Sequence, residues 1–332
     1  MSDRPTARIT SIKSYLPERV LTNQDLEKMV DTSDEWIVSR TGMRNRHLAQ
    51  ADEFPSDMGA KAALKALEAV NFPASALDLI VVATMTPDYI SPSTAALIQA
   101  QIQAPQAAAL DIQAACTGFL YGISIAKAYI ESGMYRNILL IASEKMSAFI
   151  DYKDRSTCVL FGDGAAAALI SDQGSGLSIE TICLGADGSL ADLALIPAGG
   201  SRLPASEETV TQGLHYFKMT GGEIFKHAVR QMSAAVKECL NRAALDQSQI
   251  SWLVPHQANK RIIDAIAKQF DLPEERVYKT VHMYGNTSAS SIPIALSALS
   301  DEHPFEEGEH VLLAAFGGGL TSGAALLSKV LQ

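Results

Sequence analysis

The sequence predicts an α/β protein built from two similar halves, and three observations lead to this prediction. Short, continuous apolar runs such as residues 79–84 and 138–142 are typical of strands buried on both faces of a sheet. Segments with helical periodicity alternate with these runs along the chain. The order of elements in the second half repeats the order in the first, which indicates a duplicated unit.

In the first half, strands and helices alternate regularly. The pattern predicts strands at 8–12, 79–84 and 138–142, a strand ending at 112, helices at 57–70, 93–101 and 119–130, and a strand–turn–strand unit at 158–170. Because strands that alternate with helices usually run in one direction, we expect a largely parallel sheet.

The second half shows the same succession. It predicts helices at 223–243 and 286–299 and strands at 250–256, 310–315 and 323–328. A long stretch rich in Gly, Pro and Ser at 185–218 separates the copies, and we interpret it as a loop that could act as a lid. We therefore divide the chain into an N-terminal half, residues 1–174, and a C-terminal half, residues 175–332.

Composition excludes several classes of protein. The 332 residues are 47% hydrophobic and carry a net charge of −10, which argues against nucleic-acid binding. The N-terminus has no apolar signal core, and no apolar run is long enough to span a membrane. The four cysteines are widely spaced, without the pairs typical of zinc sites or disulfides. We expect a cytoplasmic protein with reduced thiols and no metal.

A candidate nucleophile, Cys116, lies between a strand-like run and a helix-like run. At a helix start, the unpaired N–H groups and the helix dipole favour the thiolate, which is the reactive form. Its small neighbours Ala114, Ala115 and Gly118 leave room for a substrate carbonyl. The alternative is a buried structural cysteine, since free cysteines are among the most buried residues.

Polar residues in the second half are candidates to act with this cysteine. His256 follows a buried strand, Asn286 opens a small-residue helix, and residues 316–319 form a glycine loop after another strand. Each has a structural alternative: a hydrogen-bonded histidine, an N-cap and a turn between strands. If the halves pack about a pseudo-two-fold axis, equivalent strand ends and helix starts meet, and Cys116, His256 and Asn286 converge.

Several ordered motifs carry a resemblance to a known family. They cover nearly the whole chain and comprise residues 36–42, 111–118, 154–164, 219–226, 256–259, 285–290 and 316–319. On these motifs, the chain resembles the 3-oxoacyl-(acyl-carrier-protein) synthase III family of thiolase-fold condensing enzymes. The resemblance implies two αβαβα halves in a five-layer sandwich, a homodimer, and no cofactor.

The resemblance also implies a reaction. Cys116 would take the acyl group of an acyl-CoA, most simply acetyl-CoA. His256 and Asn286 would donate hydrogen bonds to the enolate left when malonyl on an acyl carrier protein loses carbon dioxide, and the backbone N–H groups of Cys116 and Gly318 would hold the tetrahedral oxyanion. The products would be 3-oxoacyl-carrier protein, CoA and carbon dioxide. This condensation would initiate fatty acid synthesis.

Three alternatives can be compared with this function, and the sequence argues against the last two. One is a related condensing enzyme or acyltransferase of secondary metabolism that uses a longer or branched acyl-CoA. Another is a thiolase, but a thiolase keeps a second cysteine in the glycine loop, and residues 316–323 contain none. The third is a non-catalytic scaffold, which would have no need for Cys116, His256 and Asn286 together.

Further residues are assigned to binding by the resemblance. The CoA tunnel would be formed by Trp36, Arg40, Thr41, Arg155, Met219, Gly221, Phe225, Ala258 and Asn259, and the carrier protein would bind Lys226, Gln257 and Arg261. Residues 218–280 hold ten Lys and Arg against seven Asp and Glu in an acidic chain, which suits an acidic partner. Ser91 stands where many family members close the acyl pocket with Phe, and Ser322 stands where Trp is common.

Overall fold

The computed structural model describes residues 5–330, and these residues form thirteen strands and eleven α-helices. The strands are β1 Arg8–Tyr15, β2 Arg19–Thr22, β3 Asn45–Leu48, β4 Leu79–Ala83, β5 Ala108–Ile112, β6 Asn137–Glu144, β7 Gly164–Ser171, β8 Gly176–Gly185, β9 Ala194–Leu195, β10 Lys218–Met219, β11 Trp252–Pro255, β12 His310–Gly317 and β13 Thr321–Val330. The helices are α1 Asn23–Glu27, α2 Asp34–Thr41, α3 Pro55–Glu68, α4 Thr94–Gln101, α5 Gly118–Glu131, α6 Arg155–Cys158, α7 Glu207–Thr211, α8 Gly221–Ala243, α9 Lys260–Gln269, α10 Val281–Tyr284 and α11 Ser291–Glu302.

Nine strands pair in the order β11-β12-β13-β8-β1-β7-β6-β4-β5. Parallel pairing occurs at the two ends, between β4 and both β5 and β6 and between β11 and β12. The central pairings are antiparallel. The expectation of a largely parallel sheet was therefore wrong. A continuous apolar run indicates that a strand is buried on both faces of the sheet. Helices that pack on the two faces cause this burial for parallel and antiparallel strands alike.

The strand order reads the same from both ends, as expected for a duplicated unit. From β5 inward the first half runs β4, β6, β7 and β1, and from β11 inward the second half runs β12, β13 and β8. A single parallel bridge from Leu253 to Val277 takes the place that β5 has in the first half. The halves join through two residue pairs of β1 and β8. The boundary at residue 174 stays a prediction, and residues 1–4 and 331–332 lie outside the described part.

Helices and strands alternate in five layers. Helices α5 and α11 form the central layer, because each contacts strands of both halves. Helix α3 packs on the outer face of β1, β6 and β7, and α8 packs on the outer face of β8, β12 and β13. The apolar side chains of one face of α8, among them Met232, Val236 and Leu240, are buried. This arrangement is the five-layer αβαβα sandwich.

Two local expectations differ from the structure. Cys158, expected in a strand, is the last residue of the short helix α6. The segment 185–218, expected to be a loop, contains helix α7 and the strands β9 and β10, which pair with each other. Short elements of two to five residues have too few positions for a period to emerge from the sequence.

Candidate active site

One cavity of about 650 Å³ brings the predicted nucleophile and its expected partners together. Cys116, His256 and Asn286 all line it, as does the glycine loop at Gly317 and Gly318. His256 is 3% exposed and Asn286 7%, so both face the cavity from the protein interior. The structure therefore gathers residues that lie far apart in the sequence, while their catalytic roles stay predictions at this point.

Cys116 lies in a 3₁₀ turn, Ala115–Thr117, directly before helix α5. Burial raises the pKa of its thiol to about 12; the Ser288 hydroxyl acts in the opposite direction, and the charge of Glu144 adds to the rise. The backbone hydrogen bond at Cys116 lowers the pKa, in the direction expected of a helix start, but burial outweighs it. The cavity wall is mainly apolar, and the cost of burying a charge there exceeds the effect of the helix dipole.

His256 is neutral and held in a fixed orientation. Its backbone N–H donates to the Ala314 carbonyl at 2.8 Å, which extends the pairing of β11 with β12. Its Nδ1 lies 2.6 Å from the Ser291 hydroxyl, which also accepts the Gln257 N–H at 3.3 Å. The Ser291 proton is therefore available to Nδ1, which places the ring proton on Nε2. Burial lowers the pKa of His256 to about 3, so the ring stays uncharged.

Asn286 is fixed by its own backbone and by a turn. Its N–H donates to the Leu160 carbonyl at 2.8 Å, and its carbonyl accepts the Gly162 N–H at 3.1 Å. Its Oδ1 accepts the Ser288 N–H at 2.9 Å, which leaves the side-chain NH₂ group as a donor for the cavity. Asn286 does not begin a helix as expected, because the 3₁₀ turn Ser288–Ser290 intervenes before α11.

The glycine loop packs directly on the cysteine turn. A Cβ atom at Gly317 would lie 2.8 Å from the Cys116 backbone nitrogen, so only glycine permits this approach. The hydroxyls of Thr117 and Thr321 join the same two segments by a hydrogen bond of 2.8 Å. A Cβ atom at Gly318 would lie 3.4 Å from Ala115 Cβ. The predicted oxyanion donors, the N–H groups of Cys116 and Gly318, therefore lie in touching segments.

Comparison with known proteins identifies this arrangement. Sequence profiles described as 3-Oxoacyl-[acyl-carrier-protein (ACP)] synthase III and its C-terminal part match residues 110–188 and 240–329. A Beta-ketoacyl-[acyl-carrier-protein] synthase III of Chlamydia caviae is 55% identical, with 98% of this chain and 97% of that protein covered. The chain belongs to the 3-oxoacyl-[acyl-carrier-protein] synthase III family. It is therefore an acyltransferase of fatty acid synthesis.

Solved structures agree with this assignment. The 3-oxoacyl-[acyl-carrier-protein] synthase III of Aquifex aeolicus has a TM-score of 0.89 and 44% identity, with 97% of this chain and 99% of that chain covered. The priming beta-ketosynthase of the R1128 polyketide biosynthetic pathway has a TM-score of 0.90 and 34% identity, with 99% and 98% covered. Both similarities extend over the whole fold of this synthase III family member.

Most residues that the family resemblance assigned to CoA line the same cavity. These are Trp36, Thr41, Met219, Gly221, Phe225, Ala258 and Asn259. Arg40 is exposed and is not part of the lining. Arg155 covers the Trp36 ring itself, with Cζ 5.0 Å from the ring centroid, and its Nη1 donates to the Asp31 carbonyl at 2.7 Å. A purine that stacks on this face of the Trp36 ring would displace Arg155.

The residues expected to dock the carrier protein separate into two groups. Lys226 and Arg261 are exposed and line the cavity, so they lie at its mouth. Gln257 is 1% exposed, and its amide is bonded to backbone groups of residues 255, 278, 280 and 281. Its assignment to docking was wrong, because these bonds hold the side chain in the protein interior.

The two departures from the family pattern also differ in position. Ser91 is exposed and does not line the cavity of its own chain. Ser322 is 7% exposed on β13 and lies beside Gly185, along a separate surface groove. Ser322 therefore does not line the cavity of its own chain.

Three residues near the site were missed from the sequence: Ser291, Ser288 and Glu144. The two serines lie in a small-residue stretch where nothing separates them from packing residues. Glu144 offered one signal, a charged residue at the end of an apolar strand. In residues 5–330, no group of three or more His, Cys, Asp or Glu could hold a metal ion, and no helix is long and apolar enough to cross a membrane.

The Gly317→Ala variant tests the packing of the two segments. The added methyl group displaces the Cys116 backbone, and we expect acyl transfer to Cys116 to slow by about tenfold or more, since small displacements of reacting groups are costly. Single-turnover acylation measured by mass spectrometry gives the rate. Gly188→Ala is the control, because a Cβ atom there meets no atom within 4 Å. Equal rates in the two variants would contradict the close packing.

Proposed function

We propose that this chain condenses a short acyl-CoA with malonyl-acyl carrier protein and needs no cofactor. The observation that carries the proposal is the position of Cys116, His256 and Asn286 on one cavity whose mouth carries Lys226 and Arg261. A thioester carried on a pantetheine arm could reach the thiol along this cavity. The cytoplasm, where acyl-CoA and carrier protein occur together, is the compartment that suits this reaction.

The first half-reaction forms an acyl-enzyme. Cys116 sulfur attacks the thioester carbonyl, a tetrahedral oxyanion forms, and CoA leaves. The N–H groups of Cys116 and Gly318 donate to the oxyanion, and the touching segments that carry them support this role. Because the thiol is neutral at rest, it must lose its proton during the attack.

The second half-reaction makes the new carbon–carbon bond. Loss of carbon dioxide from the malonyl group leaves an enolate, whose oxygen needs donors. His256 supplies Nε2–H and Asn286 supplies its NH₂ group, and both are fixed by partners on their far sides. The enolate carbon attacks the acyl-Cys116 carbonyl, and the thiolate is expelled. The products are the 3-oxoacyl-carrier protein and carbon dioxide.

A separate assay of the two half-reactions tests this division of roles. Cys116→Ser should abolish acyl transfer, and His256→Ala and Asn286→Ala should slow malonyl decarboxylation by about 10²-fold or more while acylation falls much less. Labelled acyl-CoA measures acylation, and release of labelled carbon dioxide measures decarboxylation. Cys183→Ala is the control, since Cys183 does not line the cavity. Equal loss of both half-reactions in the two alanine variants would refute the division.

The mouth of the cavity supports docking of an acidic carrier protein. Lys226 is exposed and pairs with Glu223 at 2.8 Å, and the Arg261 guanidinium lies over the Phe225 ring at 5.4 Å. These contacts hold two positive groups beside the entrance of a chain whose net charge is −10. A carrier protein bound there would direct its pantetheine arm into the cavity.

Charge reversal tests the docking face. Lys226→Glu and Arg261→Glu should each raise KM for malonyl-carrier protein by about tenfold, because rim charges govern encounter with a charged partner. KM for acyl-CoA should stay near its wild-type value. Lys237→Glu makes the same charge change at an exposed site of α8 that does not line the cavity. A rise in KM of the same size in Lys237→Glu would contradict a local docking face.

The surface around Ser91 supports a homodimer that completes the acyl pocket. Ile90 is 94% exposed and Tyr89 61%, which is unusual for large apolar side chains on a free surface. They precede helix α4, which packs on β5, the strand at one edge of the sheet. If Ser91 enters the partner's pocket, as family resemblance implies, its small side chain leaves space for a primer longer than acetyl, or a branched one.

Primer profiling tests this pocket. Ser91→Phe should lower kcat/KM for branched and longer acyl-CoAs by about tenfold or more relative to acetyl-CoA, because the ring fills the space they need. Acetyl-CoA turnover is the internal control. If the profile is unchanged, Ser91 is outside the pocket. Transfer of the acyl group to an oxygen or nitrogen acceptor, with no condensation, would favour the alternative acyltransferase of secondary metabolism.

A further inference from the structure

The carboxyl group of Glu144 is buried beside the reactive cysteine and has no part in the reaction as described above. It ends strand β6 and is 0% exposed. The Thr84 and Thr86 hydroxyls donate to its Oε2 at 3.2 and 2.6 Å, and the Met85 N–H donates to the same oxygen at 3.1 Å. Oε1 accepts a hydrogen bond from only one of these three donors, the Met85 N–H, at 3.2 Å. A lone pair of Oε1 therefore remains available to a further donor.

The surroundings of Glu144 are arranged for a carboxylate. The Thr84 hydroxyl already accepts the Thr86 N–H at 3.1 Å, and the Thr86 hydroxyl accepts the Lys145 N–H at 2.9 Å. Both hydroxyl protons are therefore directed at the carboxyl group. The groups that act on Glu144 most strongly are these hydroxyls, the Met85 N–H and Ser288, and none is a cation. A buried carboxylate without a cation is costly, and such groups concentrate at functional sites.

Ser288 connects this carboxyl group to the nucleophile. The turn Ser288–Ser290 packs against both strand β6, which ends at Glu144, and the turn Ala115–Thr117, which holds Cys116. The Ser288 hydroxyl also lowers the pKa of Cys116 and of Glu144, against the larger, raising effect of burial. Ser288 lines the cavity and is 0% exposed. Within the described residues its oxygen has no hydrogen-bond partner, so the hydroxyl is not committed to another group. Its backbone is left-handed, with φ of 52°, which a serine adopts only under constraint.

The proposed function leaves a proton without an acceptor. The Cys116 thiol must lose its proton on attack, and His256 cannot take it while Nε2 carries the proton that the enolate needs. Burial also lowers the pKa of His256 to about 3, which makes the ring a weak base. Burial raises the pKa of Glu144 to about 7, so its carboxylate is the stronger base near the thiol.

We propose that Ser288 relays the Cys116 thiol proton to Glu144, which stores it until the condensation step. This rests on the proposed function. During attack the thiol proton moves to Ser288 Oγ as the Ser288 proton moves to a Glu144 oxygen. The bond from Cys116 sulfur to the acyl carbon forms, and CoA leaves as a thiolate that takes a proton from solvent. When condensation expels Cys116 as a thiolate, the stored proton returns along the same path.

Single-turnover acylation by acetyl-CoA tests the relay. Ser288→Ala and Glu144→Gln should each slow acylation by about 10²-fold, the lower end of general acid–base effects. The double variant should be no slower than the slower single variant, because the two residues act as one unit. Ser290→Ala is the matched control: Ser290 lies in the same turn, is 0% exposed and donates to the Thr287 carbonyl at 2.8 Å. It should acylate at the wild-type rate.

Infrared difference spectroscopy gives a readout that a packing defect does not produce. Acylation of the wild type should create the C=O band of a protonated carboxylic acid, and Glu144→Gln should lack it. If Glu144→Gln does not fold, Ser288→Ala and the wild-type spectrum decide. Wild-type acylation without this band, or Ser288→Ala acylating at the wild-type rate, overturns the relay. Failure of the wild type to accept any acyl-CoA instead overturns the proposed function, so the two failures are distinct.

Discussion

The contact between the cysteine turn and the glycine loop is the constraint on which the site depends. The turn Ala115–Thr117 comes from the first half of the chain and the loop at Gly317 from the second. They approach to a distance that excludes even a methyl group at Gly317. Two backbone N–H groups from distant parts of the sequence can then meet one substrate oxygen. The central helices α5 and α11, which contact strands of both halves, hold the segments in place.

Burial keeps the thiol and the imidazole of this site uncharged at rest. The Cys116 thiol and the His256 ring are both neutral, because an apolar cavity makes an isolated charge costly. In the proposed mechanism, the resting enzyme presents donors without charge to an oxygen that becomes negative only during the reaction. The fixed Nε2–H of His256 and the NH₂ group of Asn286 would need no rearrangement when the enolate forms. The same burial explains why the helix start does not produce a thiolate.

Local patterns in the sequence were sufficient for some features and insufficient for others. The apolar strands at 79–84 and 138–142 were predicted because burial on both faces leaves a continuous apolar run, and the strand order confirms the duplication. Strand direction produces no such pattern in the sequence, and the sheet was therefore wrongly expected to be parallel. Gln257 was assigned to the docking surface by the family resemblance, whereas its burial depends on backbone groups some twenty residues away in the sequence.

The place of Ser288 in the site could not be predicted, since it depends on a repeat of geometry, not of residue type. The turns Ala115–Thr117 and Ser288–Ser290 occupy equivalent places, each directly before a central helix. Each begins with a left-handed residue, Ala115 with φ of 46° and Ser288 with φ of 52°. Duplication thus supplied one strained backbone shape twice. In the first copy it presents a thiol, and in the second it brings a hydroxyl beside that thiol.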